Sequence, residues 1–485
     1  YLGRESMSKR IAIVGAGVGG LASAARLSSR GFDVDVYEKL PHCGGRNHLL
    51  EEAGFKFDMG PSFVLMPDFF EEVFTYCRQD LKDYLNLAAL DTSYKIFYPD
   101  GDCLTVYRDS RLTKAELERI EEGSASRFDG FISETQKIYK AVRPLMHRCF
   151  TAADLMNPAY WPLLKRLRVF ESYWSLAAKF FKSEKLRYAF TFEAMFMGVS
   201  PFQTPAFYSV ISYADHVQKI YHPMGGMYQI PLALERMAKK FGTRFHYNHE
   251  VDAIERKNGS LVLKSGGDSL QADKVVVNAD YAYAQEKLLK RRVPEFKYSC
   301  SVYLLYLGIN RKLENLAHHN LFFSPDLRKN LSQIFKAKTM PLEPSFYVHL
   351  PTKTDPGLAP PGKEIVYILV PVPNLQGNSI RMPEYDAKVR EIVLEKINKT
   401  LGIRLQDFIE LERRFYPDDF VKKYNIKFGA TFGLAHNLMQ SAFFRPANAD
   451  SGLKGVYYAG ASTQPGGGLP VVIVGSRIVS DLIAD

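Results

Sequence analysis

Cysteine is scarce in this sequence, and its distribution matches no common site. The five cysteines include no Cys-x-x-Cys pair and stand at Cys43, Cys77, Cys103, Cys149 and Cys300. The eleven histidines are not accompanied by a His-Glu-x-x-His motif. We therefore expect neither a disulfide framework nor a metal site.

Long apolar runs are also lacking. The segment 469–484 comes nearest to a membrane-spanning helix, but Ser476, Arg477 and Asp481 interrupt it. We therefore expect that any contact with a membrane is peripheral. Residues 1–6 precede a methionine and are interpreted as an expression tag, and a predicted strand follows so soon that no signal peptide is expected.

The net charge does not distinguish between the possible classes of binding partner. The chain of 485 residues carries a formal net charge of +10, which suits nucleic acid, anionic lipid or an anionic cofactor equally. Nucleic-acid binding has only this charge in its favour. The length predicts about two or three lobes, and a hydrophobic content of 46% suffices for buried cores.

The N-terminal segment 10–38 is typical of a dinucleotide-binding unit: strand, glycine turn, helix and second strand. Gly15 permits the turn, Gly17 lets a pyrophosphate approach the backbone, and Gly20 lets helix and sheet touch. Glu38 ends the second strand, where its carboxylate can accept hydrogen bonds from ribose. The alternative is a glycine turn with a packing role alone. Two neighbours belong to the same predicted site, Gly19 and Lys39.

A second glycine turn follows at Gly44-Gly45-Arg46, and after it the sequence "GFKFDMGPS". This arrangement resembles the superfamily of FAD-dependent amine oxidases and carotenoid desaturases. The resemblance implies that Arg46 reaches the FAD phosphates and that the turn Met59-Gly60-Pro61-Ser62 lines the isoalloxazine. A nicotinamide enzyme needs one nucleotide unit, whereas extended FAD needs such later segments.

Two further segments are expected to return to the cofactor. A predicted hairpin and buried strand occupy 246–280, where the resemblance implies that Val251 contacts adenine and that Asn278-Ala279-Asp280 lies near FAD; any β-hairpin would give the same pattern. The second segment, "GASTQPGGGLP", again combines a strand, a glycine turn and a helix N-terminus. Its predicted cofactor contacts are Gly460, Ala461, Gly468, Leu469 and Pro470.

With "HPMGGMYQI" and "QSAFFRPAN", these motifs extend the resemblance to nearly the whole chain from Met7. The sequence is similar to bacterial carotenoid desaturases of the phytoene desaturase class, the dehydrosqualene (4,4'-diapophytoene) desaturases being most alike in pattern. Two positions depart from the usual pattern. Gln464 stands where histidine is more frequent, and Tyr458 where an aliphatic residue is usual.

The fold class implied by this resemblance is α/β. We expect a discontinuous Rossmann-type FAD-binding domain, a second mixed-sheet substrate domain and a helical, membrane-facing region. The FAD-binding domain is predicted over 7–85, 216–285 and 421–485. The substrate domain is predicted over 86–110 and 286–420, with strands at 298–310 and 364–372, and the helical region over 111–215.

Within the helical region, apolar residues recur at three- and four-residue spacing: Leu163, Leu167, Phe170, Trp174, Ala177 and Phe181. Basic residues lie between them, a composition typical of a helix at a membrane interface. Packing against the rest of the protein is the alternative interpretation. The pattern is compatible with this packing. It is equally compatible with membrane contact through this region or through the C-terminal helix.

The resemblance implies an FAD-dependent oxidoreductase of carotenoid biosynthesis that desaturates a linear apolar polyene such as dehydrosqualene. Phytoene, or a hydroxylated or monocyclic carotene, is the alternative substrate. Carotene isomerase or saturase activity would also fit the motifs, as would a prenyl-lipid carrier of the same fold without catalysis. Quinone or oxygen would reoxidise the flavin, at the cytoplasmic face of the cell membrane. Candidate bases are Glu193, Asp215 and His222, and no catalytic residue is assigned.

Overall fold

The computed structural model describes residues 9–377 and 381–485. The predicted tag, residues 1–6, lies outside the described residues. The strands, in chain order, are β1 (Arg10–Val14), β2 (Asp33–Tyr37), β3 (Leu49–Glu52), β4 (Phe55–Asp58), β5 (Leu87–Ala89), β6 (Thr92–Phe97), β7 (Cys103–Tyr107), β8 (Tyr221–Pro223), β9 (Arg244–His246), β10 (Ala253–Lys257), β11 (Ser260–Ser265), β12 (Asp268–Ala272), β13 (Lys274–Val277), β14 (Ser301–Ile309), β15 (His319–Phe322), β16 (Phe346–His349), β17 (Glu364–Val372), β18 (Ile409–Phe415) and β19 (Val456–Tyr458).

The α-helices are α1 (Val18–Ser29), α2 (Pro67–Tyr76), α3 (Ser110–Ile120), α4 (Ser124–Val142), α5 (Ala152–Leu155), α6 (Trp161–Arg166), α7 (Tyr173–Ala177), α8 (Glu184–Ala189), α9 (Val210–Tyr213), α10 (Gln229–Lys240), α11 (Tyr281–Tyr283), α12 (Leu327–Ser332), α13 (Met382–Leu401), α14 (Pro417–Tyr424) and α15 (Leu469–Ala484). Short 3₁₀ and π turns connect several of them. No helix in the described parts of the chain is long and apolar enough to span a membrane.

A five-stranded parallel sheet forms the first unit, in the order β19-β13-β1-β2-β9. Its strands come from segments far apart in the sequence, so this domain is discontinuous. Helix α1 packs against α10 and α15. Ile11 and Ile13 of β1 pack in one core, and Ala12 and Val14 pack in another, because a parallel sheet covered on both faces needs apolar side chains on both.

A seven-stranded mixed sheet forms the second unit, in the order β18-β14-β17-β16-β15-β6-β7. The predicted strand at 364–372 is confirmed as β17, and the strand predicted at 298–310 is the shorter β14. Alternate residues of β14 face two different cores. Leu305 and Leu307 pack with α13, whereas Leu304 and Tyr306 pack with the side chains of β4.

The apolar stripe 163–181 does not lie on one helix, contrary to its helical spacing. Helix α6 ends at Arg166, Arg168 has a positive φ of 51°, and α7 begins at Tyr173. The break separates the stripe into two environments. Ala177 and Phe181 are fully buried, whereas Phe170 is 88% exposed. Tertiary packing has overridden the local periodicity here.

The C-terminal helix α15 is packed inside the protein. Ile473, Val479 and Ile483 contribute to the core shared with α1. These apolar side chains are therefore used in folding and are withdrawn from the surface.

Candidate functional site

One cavity connects the carboxyl ends of β1 and β13 with the helical region. Its volume is about 880 Å³. All but one of the residues predicted to bind the cofactor line this cavity. The lining residues are Gly15, Gly17, Gly19, Glu38, Lys39, Gly44, Gly45, Arg46, Met59, Gly60, Pro61, Ser62, Val251, Asn278, Ala279, Asp280, Gly460, Ala461, Gly468, Leu469 and Pro470. The exception is Gly20, which faces the Gly15 carbonyl. Their binding of the cofactor stays a prediction, but the fold brings them together.

The first glycine turn has no space for side chains. A Cβ built at Gly17 would lie 2.8 Å from the Asn278 side chain, one at Gly19 2.6 Å from it, and one at Gly20 2.1 Å from a backbone oxygen. Gly15 has a φ of +98°, which only glycine adopts readily. The exposed backbone of this turn, at the start of α1, is a cradle for a pyrophosphate.

Glu38 is buried beside this turn. Its Oε2 accepts a hydrogen bond from the Ala16 N–H (2.7 Å), and its Oε1 accepts one from the Leu40 N–H (2.9 Å). Burial raises the pKa of this carboxyl, although both backbone donors oppose the shift. A carboxylate oxygen has more than one lone pair, so Oε1 and Oε2 of Glu38 can each still accept a hydrogen bond from a ribose hydroxyl.

The second glycine turn brings Arg46 into the cavity. Its Nη1 donates a 2.7 Å hydrogen bond to the Thr431 carbonyl. Burial lowers the pKa of this guanidinium, while the nearby Asp280 carboxylate opposes that effect. Since arginine has five N–H donors, most of them remain for an anionic group.

The turn at residues 59–62 meets the second sheet. Ser62 Oγ accepts a 2.9 Å hydrogen bond from the Tyr347 hydroxyl of β16. Tyr347 OH also lies 2.6 Å from His319 Nδ1. A polar chain therefore begins at the wall of the cavity and leads into the second sheet.

Asn278 and Asp280 have local roles that the sequence did not indicate. Asn278 packs its side chain into the first glycine turn. Asp280 accepts hydrogen bonds from the N–H groups of Ala282 (3.1 Å) and Tyr283 (3.2 Å), and so caps α11. Val251 is buried at the same end of the cavity.

The C-terminal turn is held by a residue that sequence reasoning missed, Arg445. Its buried guanidinium donates to the carbonyls of Ala461 (2.5 Å), Thr463 (3.1 Å) and Gln440 (3.0 Å). Burial lowers its pKa to about 10. The motif "QSAFFRPAN", which contains Arg445, is recognisable in the sequence. Its role could not be predicted from the sequence, because its partners are backbone carbonyls, which every residue type has.

The two unusual residues of this region both have polar partners. Gln464 accepts a 2.6 Å hydrogen bond from the Phe150 N–H and donates one of 3.0 Å to the Phe150 carbonyl. Tyr458 donates to Asp450 (2.5 Å) and accepts from Gln285 (2.7 Å). Gln464 thus joins the C-terminal turn to the helical region.

The three candidate bases do not line the cavity. Glu193 and Asp215 are fully buried in the helical region, and burial raises the pKa of Asp215 to about 6. His222 is buried beside the second sheet. His436, which no sequence pattern singles out, does line the cavity, but its Nε2 accepts a 3.0 Å hydrogen bond from Gly467. That nitrogen is therefore not a free base.

Comparison with known proteins agrees with this geometry. The family model of flavin-containing amine oxidoreductases matches residues 18–483. A zeta-carotene-forming phytoene desaturase of Myxococcus xanthus is 39% identical, over 98% of this chain and 94% of its own length. A diapolycopene-forming 4,4'-diapophytoene desaturase of Methylomonas sp. is 34% identical, over 98% and 95%. The chain belongs to the carotenoid desaturase family.

The solved structures show the same fold at low sequence identity. Cyclohexylamine oxidase from Brevibacterium oxydans IH-35A superimposes with a TM-score of 0.60 at 15% identity, covering 98% of this chain and 99% of its own. This carotenoid desaturase thus has the FAD-binding amine oxidase fold, and it is an FAD-dependent oxidoreductase acting on CH–CH groups.

The cavity fits FAD. The glycine cradle and Arg46 would hold the pyrophosphate, Glu38 would hold ribose, and the turn at 59–62 would meet the flavin. The side-chain-free turn is the observation that decides this fit, because an added Cβ would collide there.

We predict that Glu38→Gln weakens FAD binding at least tenfold. The amide would offer ribose one neutral carbonyl acceptor in place of two charged carboxylate oxygens, and a hydrogen bond to a charged group contributes about 1.5–3 kcal/mol. Titration of apoprotein with FAD, followed by flavin fluorescence, measures the effect. Glu51→Gln, in the exposed part of β3, is the control. Equal affinity of both variants would contradict the role of Glu38.

Proposed function

We propose that this carotenoid desaturase introduces double bonds into a linear apolar polyene, such as 4,4'-diapophytoene, at the cytoplasmic surface of the cell membrane. The observation that carries the proposal is the continuity of the cavity. One end has the glycine cradle, and the other end is walled by apolar side chains and opens at the protein surface.

The apolar part of the cavity lies between the helical region and the second sheet. Its wall combines side chains of both: Leu163, Leu167, Phe192, Phe196, Ile211, Leu304, Leu321, Phe346 and Leu369. Such a wall offers a hydrocarbon chain dispersion contacts and no hydrogen-bonding partners. An acyclic hydrocarbon therefore suits it better than an amine or an alcohol.

The substrate class also agrees with the names of the relatives. The Myxococcus relative is a phytoene desaturase, and the Methylomonas relative is a 4,4'-diapophytoene desaturase. Both names denote acyclic substrates. Phytoene is accordingly the alternative substrate for this chain.

Desaturation removes a hydride and a proton from adjacent carbons, and bound FAD supplies the acceptor for the hydride. The protein's own contribution is to hold a flexible chain with one bond at the flavin and to exclude water. The apolar side chains of the wall serve both purposes, since they bind along the chain and offer solvent no hydrogen bonds.

The proton needs a polar acceptor at the wall of this apolar space. Ser62, Tyr347 and His319 form a hydrogen-bonded chain that begins at that wall, with distances of 2.9 and 2.6 Å. His319 is buried, and its Nε2 has no hydrogen-bond partner among the described residues. Burial lowers the pKa of His319 to about 3, so the imidazole stays neutral and its role is to orient the Tyr347 hydroxyl.

The rim of the cavity supports contact with a lipid surface. Phe170, Met439 and Phe444 line the cavity and are 88%, 66% and 40% exposed. Trp161, at the start of the neighbouring helix α6, is 64% exposed, and Lys165 and Arg166 end that helix. Exposed aromatic residues beside basic ones are typical of an interfacial anchor.

Contact with the bilayer would let substrate enter directly from lipid. It would also bring the reduced cofactor close to membrane quinone, which we propose as an electron acceptor, with oxygen as the alternative. Peripheral attachment agrees with the lack of a spanning helix in the described segments.

We predict that purified holoprotein on liposomes converts 4,4'-diapophytoene or phytoene into products absorbing at longer wavelength. Without oxygen or quinone, the flavin absorbance should bleach as product forms. Absorption spectra and product chromatography measure this. Conversion with no flavin bleaching would indicate an isomerase, and no conversion of either substrate would refute the desaturase proposal for them.

We predict that Phe170→Glu lowers the partition coefficient onto anionic liposomes about tenfold or more, because burial of a phenylalanine contributes about 1.5–3 kcal/mol. Vesicle sedimentation measures partitioning. Leu342→Glu is the matched control: Leu342 is 72% exposed but does not line the cavity. Equal partitioning of both variants with the unmodified protein would place the membrane contact elsewhere.

We predict that Tyr347→Phe lowers the rate of flavin reduction by substrate about tenfold or more and removes its solvent deuterium isotope effect. Tyr367→Phe is the control, because its hydroxyl also lies beside the cavity but makes only a 3.5 Å contact with the Gly60 carbonyl. Stopped-flow absorbance of the FAD-loaded variants separates the two. Unchanged rate and isotope effect in Tyr347→Phe would exclude this hydrogen-bonded chain as the proton acceptor.

A further inference from the structure

Three histidines from distant parts of the sequence meet beside the second sheet. His222 belongs to β8, His318 directly precedes β15, and His349 ends β16. One ring nitrogen of each lies within 4.8 Å of those of the others. His318 Nε2 and His349 Nε2 are only 2.9 Å apart. All three side chains are buried, at 0%, 5% and 2% exposure in that order.

A carboxylate lies beside one member of this group. Asp355 Oδ2 lies 3.9 Å from His222 Nε2. The same oxygen accepts a 2.5 Å hydrogen bond from the Gly225 N–H, and Asp355 Oδ1 accepts one of 3.3 Å from the Gly357 N–H. In the described parts of the chain, Asp355 has no ion pair with lysine or arginine. Its negative charge is therefore held close to His222 without a basic side chain to balance it.

His222 is the side chain that needs explanation. Neither of its ring nitrogens has a hydrogen-bond partner among the described residues, and the side chain is fully buried. A buried polar group left without a partner destabilises the folded state. Both ring nitrogens are thus available, and a neutral imidazole is the form that coordinates metal ions.

His318 is oriented by a second contact. Its Nδ1 lies 2.7 Å from Thr354 Oγ1, which directs Nε2 toward His349. A histidine that coordinates a metal through one nitrogen is usually fixed in this way through the other. The arrangement therefore resembles a set of ligands with its supporting contact in place.

We propose that His222, His318 and His349 bind one divalent transition-metal ion, with zinc(II) as the ion that suits three imidazoles best. Zinc accepts imidazole nitrogens in a tetrahedral arrangement, and a fourth position would be left for water. The ion would satisfy His222, and the Asp355 carboxylate beside His222 would balance part of its charge. None of these residues lines the cofactor and substrate cavity.

The site connects two parts of the protein. β8 leads into the turn at 223–226, which is followed by Met227 and Tyr228, whose N–H groups donate to Asp58 at the end of β4. His318 and His349 belong to the second sheet. A bound ion would hold the segment that supports the 59–62 turn against that sheet.

The first test measures metal in the wild-type protein. FAD-loaded protein, purified without a metal-affinity column, is incubated with zinc chloride and dialysed. Its zinc content is then measured by inductively coupled plasma mass spectrometry. We expect about one zinc ion per chain and a higher melting temperature than in chelator-treated protein. X-ray absorption at the zinc edge should show imidazole scattering. Less than about a tenth of an ion per chain, or a zinc shell without imidazole, would overturn the proposal.

The second test uses variants. His222→Ala and His349→Gln should each retain at least tenfold less zinc than the wild type under the same dialysis. His319→Asn is the matched control: it is buried beside the site, but it is not one of the converging histidines, and an asparagine amide can still donate to the Tyr347 hydroxyl. Zinc retained equally by all variants would show adventitious binding and overturn the proposal. If the variants do not fold, the X-ray absorption of the wild type decides.

Discussion

The contact between Asn278 and the first glycine turn is the constraint on which the rest of the site depends. The end of β13 lies so close to this turn that a Cβ at any of its glycines would meet Asn278 or backbone within about 3 Å. This closeness joins β1, α1 and β13 and leaves the N–H groups of the turn exposed to the cavity. β1, α1 and β13 can therefore meet this closely only because the four glycines of the turn carry no side chains.

Discontinuity of the first domain follows from the same arrangement. β13 pairs with β19 on its outer edge, and the chain then turns through 460–468 into α15, which packs on α1. The buried Arg445 guanidinium holds that last turn, because it donates to the Ala461 carbonyl inside the turn and to the Gln440 carbonyl outside it. A cofactor bound at the beginning of the chain is thus enclosed by the end of the chain.

The second sheet has two functions that depend on its two faces. The face of β14 that carries Leu304 joins the cavity, while the other face, with Leu305 and Leu307, packs on α13. Because alternate residues of a strand point to opposite faces, the same strand contributes to the cavity wall and to a core. Tyr347 interrupts this wall near the 59–62 turn and contacts His319 behind it, where the reaction needs a polar group for the proton.

The sequence by itself determined the dinucleotide-binding unit and the family. Strand, glycine turn, helix and acid follow one another locally, so their spacing carries the information, and the resemblance extended it to FAD. Tertiary structure alone decided the features that depend on distant residues. Asn278 packs into the first glycine turn, and Arg445 binds the carbonyls of the last one. The 163–181 stripe is broken at Arg168, and His222, His318 and His349 lie together. No local pattern records these contacts, because each arises where segments far apart in the chain are folded against one another.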